Sequence, residues 1–351
     1  MIAADRLAAG VISIRVPDDS QWDAYVGSHP QRSAYHSAGW PRLIARAFNH
    51  DPVLLAAVDG SRITGILPLI VMRSRVFGRF VVSLPFLNEG GLLADDERAE
   101  NQLIDAAIGV ARGASADYLE LRHTRRHSSR LADRQHKVAM TLPLRARADE
   151  QWQALDRKVR NQIRKGEKSG LTVTSGGADL IDGFYQVFAR NMRDLGTPVF
   201  GVSLFRETLR TFPDNSRVFC ARHAGTLVAG SIVHWRGQSM EVIWASALRE
   251  ANPLCANVLL YWHMLQFAIE QGCERFEFGR CTPGEGPFNF KRQWGAEPRP
   301  LVWEYWHGRP SADLDKTPGN PKYRAAVALW QRLPLGLTTT MGPRIVRSIP
   351  C

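Results

Sequence analysis

Hydrophobic periodicity predicts a strand over residues 11–16, helices over 20–26 and 37–48, and a strand over 52–58. Asp59-Gly60 supplies a hairpin turn into a returning strand, 63–72. A third strand over 80–87, a helix over 96–112, and strands over 118–122 and 138–144 complete the order β-αα-βββ-α-β-β. The second half of the chain runs through the same order. It has a strand over 171–174, helices over 180–195 and 203–212, and strands over 218–222, 227–235 and 240–246; a helix over 253–271 and a strand over 275–278 follow.

Local residues repeat along with the elements. Arg62-Ile-Thr-Gly-Ile corresponds to Leu227-Val-Ala-Gly-Ser, and Ala116-Asp-Tyr-Leu-Glu-Leu-Arg to Cys273-Glu-Arg-Phe-Glu-Phe-Gly-Arg. Two copies of one supersecondary plan are therefore expected, as tandem α/β domains with mixed central sheets flanked by helices. The first domain is expected over 1–148 and the second over 171–306, with one helix, 149–170, linking them. Residues 307–322 have linker chemistry, rich in proline, glycine and charge, and a short amphipathic helix over 323–332 is expected to dock as an appendage through Trp330.

A length of 351 residues agrees with roughly two domains, and 44% hydrophobic with 23% charged residues is an ordinary globular balance. No apolar run reaches the ~18 residues of a membrane-spanning helix, and the first fifteen residues lack the apolar core of a signal peptide. The five cysteines, Cys220, Cys255, Cys273, Cys281 and Cys351, are scattered without a C-x-x-C pair, which points to a reducing cytoplasm and away from zinc or disulfides. The formal charge of +11 favours anionic partners.

Much of that charge is concentrated. Between Asp156 and Lys168 stand six basic residues against two acidic ones, and helical spacing places Arg157, Arg160, Arg164 and Lys168 on one face able to grip phosphates. A solvated helix face would look the same, but Asn161 and Gln162 add donors such a face does not need. A second run between Arg122 and Arg134 is expected to be an exposed loop offering a further anion contact. Its His123 and His127 would make a metal pair only on a helix, and Arg125 and Arg126 would repel the cation, so no metal site is expected. Residues 277–295 form a Gly/Pro loop at a strand end, where Arg280, Glu285 and Lys291 come close together beside Phe288, Phe290 and Trp294. P-loop, esterase-elbow and zincin motifs do not occur, and no pyrophosphate loop precedes the helix at Pro253. His234, Glu241 and His263 fit the pattern of satisfied buried polar groups.

Arg160-Asn-Gln-Ile-Arg-Lys-Gly-Glu-Lys-Ser-Gly-Leu, Asp194-Leu-Gly-Thr-Pro-Val-Phe, Phe278-Gly-Arg and Phe288-Asn-Phe-Lys-Arg-Gln-Trp-Gly together resemble the Fem-type aminoacyl and acyl transferases, which carry two GNAT-like domains. Asn320-Pro-Lys-Tyr and Trp330-Gln-Arg-Leu-Pro-Leu resemble the branch found beside exosortase/PEP-CTERM and exopolysaccharide loci. The resemblance implies tandem GNAT-like domains, the second of the BioF2-like acetyltransferase type. It also implies transfer of an acyl or aminoacyl group onto an amine of an envelope or exopolysaccharide precursor, with acyl-CoA or aminoacyl-tRNA as co-substrate and no tightly bound cofactor. The helical hairpin that some tRNA-using members insert has no counterpart in 150–170.

By that resemblance Lys291 looks like the lysine near the reacting carbonyl, where it and Arg280 would stabilise the oxyanion while Glu241 or Glu285 takes the amine proton. Arg160, Asn161, Arg164, Lys165, Lys168, Phe288, Phe290 and Trp294 are the expected substrate contacts. The expected partner is a phosphate-bearing precursor, with tRNA a further candidate and room for peripheral membrane contact. Two other readings stay open: an acyl-CoA-dependent N-acyltransferase acting on an amino sugar nucleotide, and a non-catalytic protein binding RNA or another anionic polymer.

Overall fold

A computed structural model describes residues 13–74, 76–308 and 321–349. The expected strand residues 11 and 12, most of the 307–322 linker and Cys351 lie outside the described residues. In chain order the elements are β1 (Ser13–Arg15), α1 (Asp19–Ser28), α2 (Gly39–Phe48), β2 (Asp51–Asp59), β3 (Arg62–Ser74), β4 (Gly78–Val82), β5 (Leu93–Ala94), α3 (Glu97–Gly113), β6 (Tyr118–His123) and β7 (Ala132–Pro143). Next come α4 (Ala148–Ala154), α5 (Arg157–Lys168), β8 (Leu171–Gly176), α6 (Ile181–Asp194), α7 (Val202–Thr211), β9 (Ser216–His223), β10 (Thr226–Arg236) and β11 (Ser239–Ala247). The rest are α8 (Ala256–Glu270), β12 (Arg275–Cys281), α9 (Gly286–Arg292), β13 (Glu297–His307), α10 (Pro321–Arg332) and α11 (Leu335–Val346).

Two compact units result. The first holds the described residues from Ser13 to Gln135 together with those from Leu301 to the end of β13. Its strands β1 to β4 form an antiparallel meander, β4 pairs with β6 in parallel, and β6 pairs with β13 antiparallel. Helix α3 starts at the Asp96 cap, whose carboxylate accepts from Ala99 N at 2.8 Å. Leu103, Ile104, Ala107 and Ala111 then recur at helical spacing, burying one face against Leu67, Leu69, Val81 and Leu119. Trp22 and Val26 of α1 pack with Leu54, Ala56 and Ile66, so both sheet faces are covered.

The second unit runs from His136 to Pro300 and takes up the C-terminal helices. Here β8 to β11 form the antiparallel meander, β11 pairs with β12 in parallel, and β12 pairs with β7 antiparallel. On one face α8 packs with α5 through Val159, Ile163 and Leu259. The other face carries Phe184, Phe188, Phe205 and Trp244 in edge-to-face contacts.

Several boundaries differ from the sequence expectation. Residues 136–170 belong to the second unit, and 301–306, expected in the second domain, belong to the first because β13 pairs with β6. The expected connector helix 149–170 is two helices inside the second unit: Leu155 is buried, and the Asp156 side chain caps α5 by accepting from Lys158 N at 2.6 Å. The strand expected over 80–87 stops at Val82, since Leu84 and Phe86 take left-handed backbone angles of 50° and 72°. The helix expected from Pro253 starts at Ala256, after Cys255 at φ 60°.

Helix α11 was not expected, because its run of three threonines, two glycines and a proline has poor helix propensity. Tertiary packing holds it: Thr338, Gly342 and Val346 face inward, with Gly342 against the Val199 backbone. A Cβ at Gly342 would lie 2.9 Å from Val199 N and 3.0 Å from its carbonyl oxygen. Gly342→Ala is therefore expected to loosen α11, detected as faster limited proteolysis within 335–349 at an otherwise unchanged melting transition.

Candidate functional site

In the second unit the parallel pairing of β11 and β12 covers Ser239 with Arg275, Met240 with Phe276 and Glu241 with Glu277. Beyond these pairs β11 continues to Ala247 and β12 to Cys281, so the two strand ends part and leave a cleft at their carboxyl ends. Strand β12 also slips register against β7 between Glu277 and Arg280, with Gly279 in the left-handed region at φ 74°.

This break turns backbone carbonyls away from strand partners, and Lys291 takes them. Its Nζ donates to the carbonyls of Gly279 at 2.9 Å and Arg280 at 2.8 Å, folding back from α9 onto the end of β12. The ammonium is buried, and burial pushes it down to about 8 against the opposing pull of Cys281 and Glu241. Two of its three N–H donors are used in these bonds. Lys291 therefore sits in a short helix anchored in the core, where the sequence predicted an open loop.

Glu241, buried, stands at the last paired position of the parting strands. Arg280 is half-buried two residues before the turn, and Glu285 is exposed at the start of α9. Two further residues come from β7: Thr141 Oγ1 donates to Glu277 Oε2 at 2.6 Å, and Lys137 Nζ donates to Thr282 Oγ1 at 2.7 Å. Sequence reasoning missed Lys137 and Thr141. They lie more than a hundred residues from β12, and only strand pairing brings them to it.

The aromatic residues expected to touch substrate divide. Trp294 is 1% exposed and, with Phe290, joins Tyr261 and Phe278 in an aromatic cluster, Tyr261 stacking on Phe278 at 5.3 Å. These two brace the back of α9 and form part of the core. Phe288 is half-buried beneath the Arg292 guanidinium at 5.8 Å.

On α5, Arg157, Lys158, Asn161, Gln162 and Lys165 line a shallow groove of about 570 Å³ with Asp156. Arg164 is exposed over the Trp152 ring at 5.3 Å, and Lys168 is exposed in the last turn. Arg160 lies at the edge of the predicted face, half-buried, with its Nε shielded and without a partner.

The second basic run is divided: Arg125, Arg126 and Arg130 are exposed, as expected, and pair with Glu100, Asp133 and Asp105, whereas Arg122, His123 and Ser128 are interior. Arg122 is fully buried, donating to Glu120 Oε1 at 2.7 Å and to the Leu87 carbonyl at 2.8 Å, and it stacks over Trp303 at 4.4 Å. His123 Nδ1 meets Glu304 Oε2 at 2.7 Å, and that carboxylate also accepts from His127 N and Ser128 N. Burial alone would raise Glu304; His123 and the two backbone donors hold it below its ordinary value. His127 lies 3.0 Å from Glu100, so each imidazole faces a carboxylate.

This network occupies, in the first unit, the position equivalent to the cleft. Strands β4 and β6 part after Val82 and Glu120, and the buried loop from Ser83 to Leu92 folds into the gap, with Ser83 Oγ accepting from Arg122 N at 2.7 Å. Strand divergence is thus filled in one unit and lined by Glu241, Arg280 and Lys291 in the other.

Residues 153–292 match a family model described as an acetyltransferase (GNAT) domain. No curated protein sequence matches the chain. Among solved structures, FemX superposes with a TM-score of 0.66 at 13% identity, covering 83% of this chain and 96% of its own. The C-terminal domain of a putative lysylphosphatidylglycerol synthetase from Agrobacterium fabrum gives 0.57 at 14% identity, with 93% and 96% covered. A tandem GNAT protein from the clavulanic acid biosynthesis pathway gives 0.52 at 14%, with 86% and 100% covered. The fold is therefore a mixed α/β architecture of tandem GNAT-like units.

Proposed function

We propose that this protein is an acyltransferase whose second unit moves an acyl or aminoacyl group onto an amine of a cell-envelope or exopolysaccharide precursor, in the cytoplasm. The observation that carries the reading is the parting of β11 and β12 after Glu241 and Glu277, lined by Lys291, Arg280 and Glu241. Acyl-CoA is the favoured donor: the GNAT model match covers β8 to α9, and the N-terminus of α8, which follows β11, carries no side-chain cap that would occupy its first N–H groups.

In the reaction the amine attacks the thioester carbonyl, the C–N bond forms, the C–S bond breaks, and CoA leaves as thiolate to take up the proton the amine loses. Glu241 would accept that proton first, and the third N–H of Lys291 would stabilise the oxyanion. The groove on α5 would hold the phosphate of the precursor. The narrower reading, the exosortase-associated branch, rests on the matches at 320–323 and 330–335. The RNA-binding alternative loses support, since in one of its two basic runs Arg122 is buried and the exposed Arg125, Arg126 and Arg130 each pair with a carboxylate.

Purified protein with labelled acyl-CoA, or separately with charged tRNA, and a panel of amine acceptors tests the reading. Acceptor-dependent release of free CoA thiol is expected, and consumption of neither donor would overturn it. Arg157→Ala and Lys165→Ala are each expected to raise KM for a phosphate-bearing acceptor about ten-fold or more, because a charge-assisted contact contributes ~1.5–3 kcal/mol. Both side chains are exposed, so stability should change by no more than ~0.5 kcal/mol. An unchanged KM would return α5 to a solvated helix face.

A further inference from the structure

We infer that the C-terminal helical pair, α10 and α11, docks this protein onto the surface of an anionic lipid bilayer. Helix α11 carries two stripes at helical spacing. Thr338, Gly342 and Val346 are buried against the second unit, while Leu337, Met341 and Arg344, at i, i+4 and i+7, point outward. Leu337 is 49% exposed and Met341 45%, and on α10 Leu329 is 65% exposed between exposed Arg324 and Arg332. Of the seven large apolar side chains exposed among the described residues, three lie on these two helices. A fourth, Leu195, adjoins Gly196, against which Val327 of α10 packs.

Charge identifies the partner. Residues 321–349 contain Lys322, Arg324, Arg332, Arg344 and Arg347 and no aspartate or glutamate. Exposed leucine and methionine flanked by the exposed Arg324, Arg332 and Arg344 form the pattern of a helix lying in the lipid interface, with its apolar side chains among the acyl chains and its cations on anionic headgroups. An excess of one sign beside exposed apolar side chains suits a uniformly anionic lipid surface. Among the described residues no helix is long and apolar enough to cross a membrane, so the contact is peripheral.

Co-sedimentation of the full chain with vesicles of phosphatidylcholine containing phosphatidylglycerol, and with vesicles of phosphatidylcholine alone, tests this. Binding is expected to the anionic vesicles only, and to weaken as salt is raised. The triple variant R324Q/R332Q/R344Q should lower the partition coefficient about a hundred-fold, at roughly five-fold per cation. L337E/M341E should abolish binding while its circular dichroism and melting stay as in the parent, because both side chains point outward. Absence of the parent from the anionic pellet, equal binding to neutral vesicles, or unchanged binding of both variants would overturn the inference. So would a concentration-dependent dimer that L337E/M341E dissolves, which would make this face an interface between two copies of the chain.

Discussion

Arg122→Met is expected to destabilise the protein by about 3–5 kcal/mol, seen as a lower urea midpoint for the transition that includes the first unit. The guanidinium is completely buried, and its removal strips the buried Glu120 of its charge partner at 2.7 Å and the Leu87 carbonyl of its donor at 2.8 Å. It also removes the cation stacked over Trp303. The double variant Arg122→Met/Glu120→Gln should recover part of the loss, because an amide needs no counter-charge and still accepts a hydrogen bond from Tyr305. If single and double variants were equally unstable, the cost would come from lost packing and not from an orphaned carboxylate. The loop from Ser83 to Leu92 should become protease-sensitive in the single variant, since Arg122 is what ties Leu87 into the gap between β4 and β6.

The second large effect concerns Lys291. Its ammonium, pushed down to about 8 by burial, holds the carbonyls of Gly279 and Arg280 at the mouth of the cleft. Below pH 8 the group is charged and can stabilise an oxyanion; above it the charge is lost, so kcat should show a descending limb near that pH. Stability moves the other way. The folded value lies below the ~10.4 of an unfolded lysine, so between about 8 and 10.4 the unfolded state binds the extra proton and this group's contribution to stability rises with pH. A rate that falls while the melting temperature holds or increases is therefore the signature expected of Lys291.

Lys291→Met should lower kcat ~10²–10³-fold, the loss associated with one good oxyanion donor, and remove the limb. It also leaves two carbonyls without a donor, at about 1–3 kcal/mol each, so melting must be measured beside the rate. Lys291→Arg keeps the charge at high pH and should move the limb upward if the cation acts in the transition state. A pH profile identical in all three proteins would leave Lys291 a brace for β12 and nothing more.

The sequence by itself determined most of the order of elements in both halves, missing β5, α9 and β13, because periods of two and of 3.6 residues are properties of neighbouring positions and need no partner to be recognised. Asp59-Gly60 marked its hairpin and Gly272 the end of α8 for the same reason, since local backbone geometry demands those residues there. The basic character of α5 was equally legible, although only the fold shows that Arg160, at the edge of that face, is half-buried. Tertiary structure decided what depends on residues far apart. It gave β7 to β12 and β13 to β6, hid Arg122 behind Glu120 and Trp303, and formed α11 from residues that favour no helix. It also turned Lys291 back onto two carbonyls freed by a slipped register. A charge reads as solvated in sequence because water is its default partner. Only the fold shows which charges have exchanged water for a buried carboxylate or carbonyl, and at those positions local pattern carries no signal.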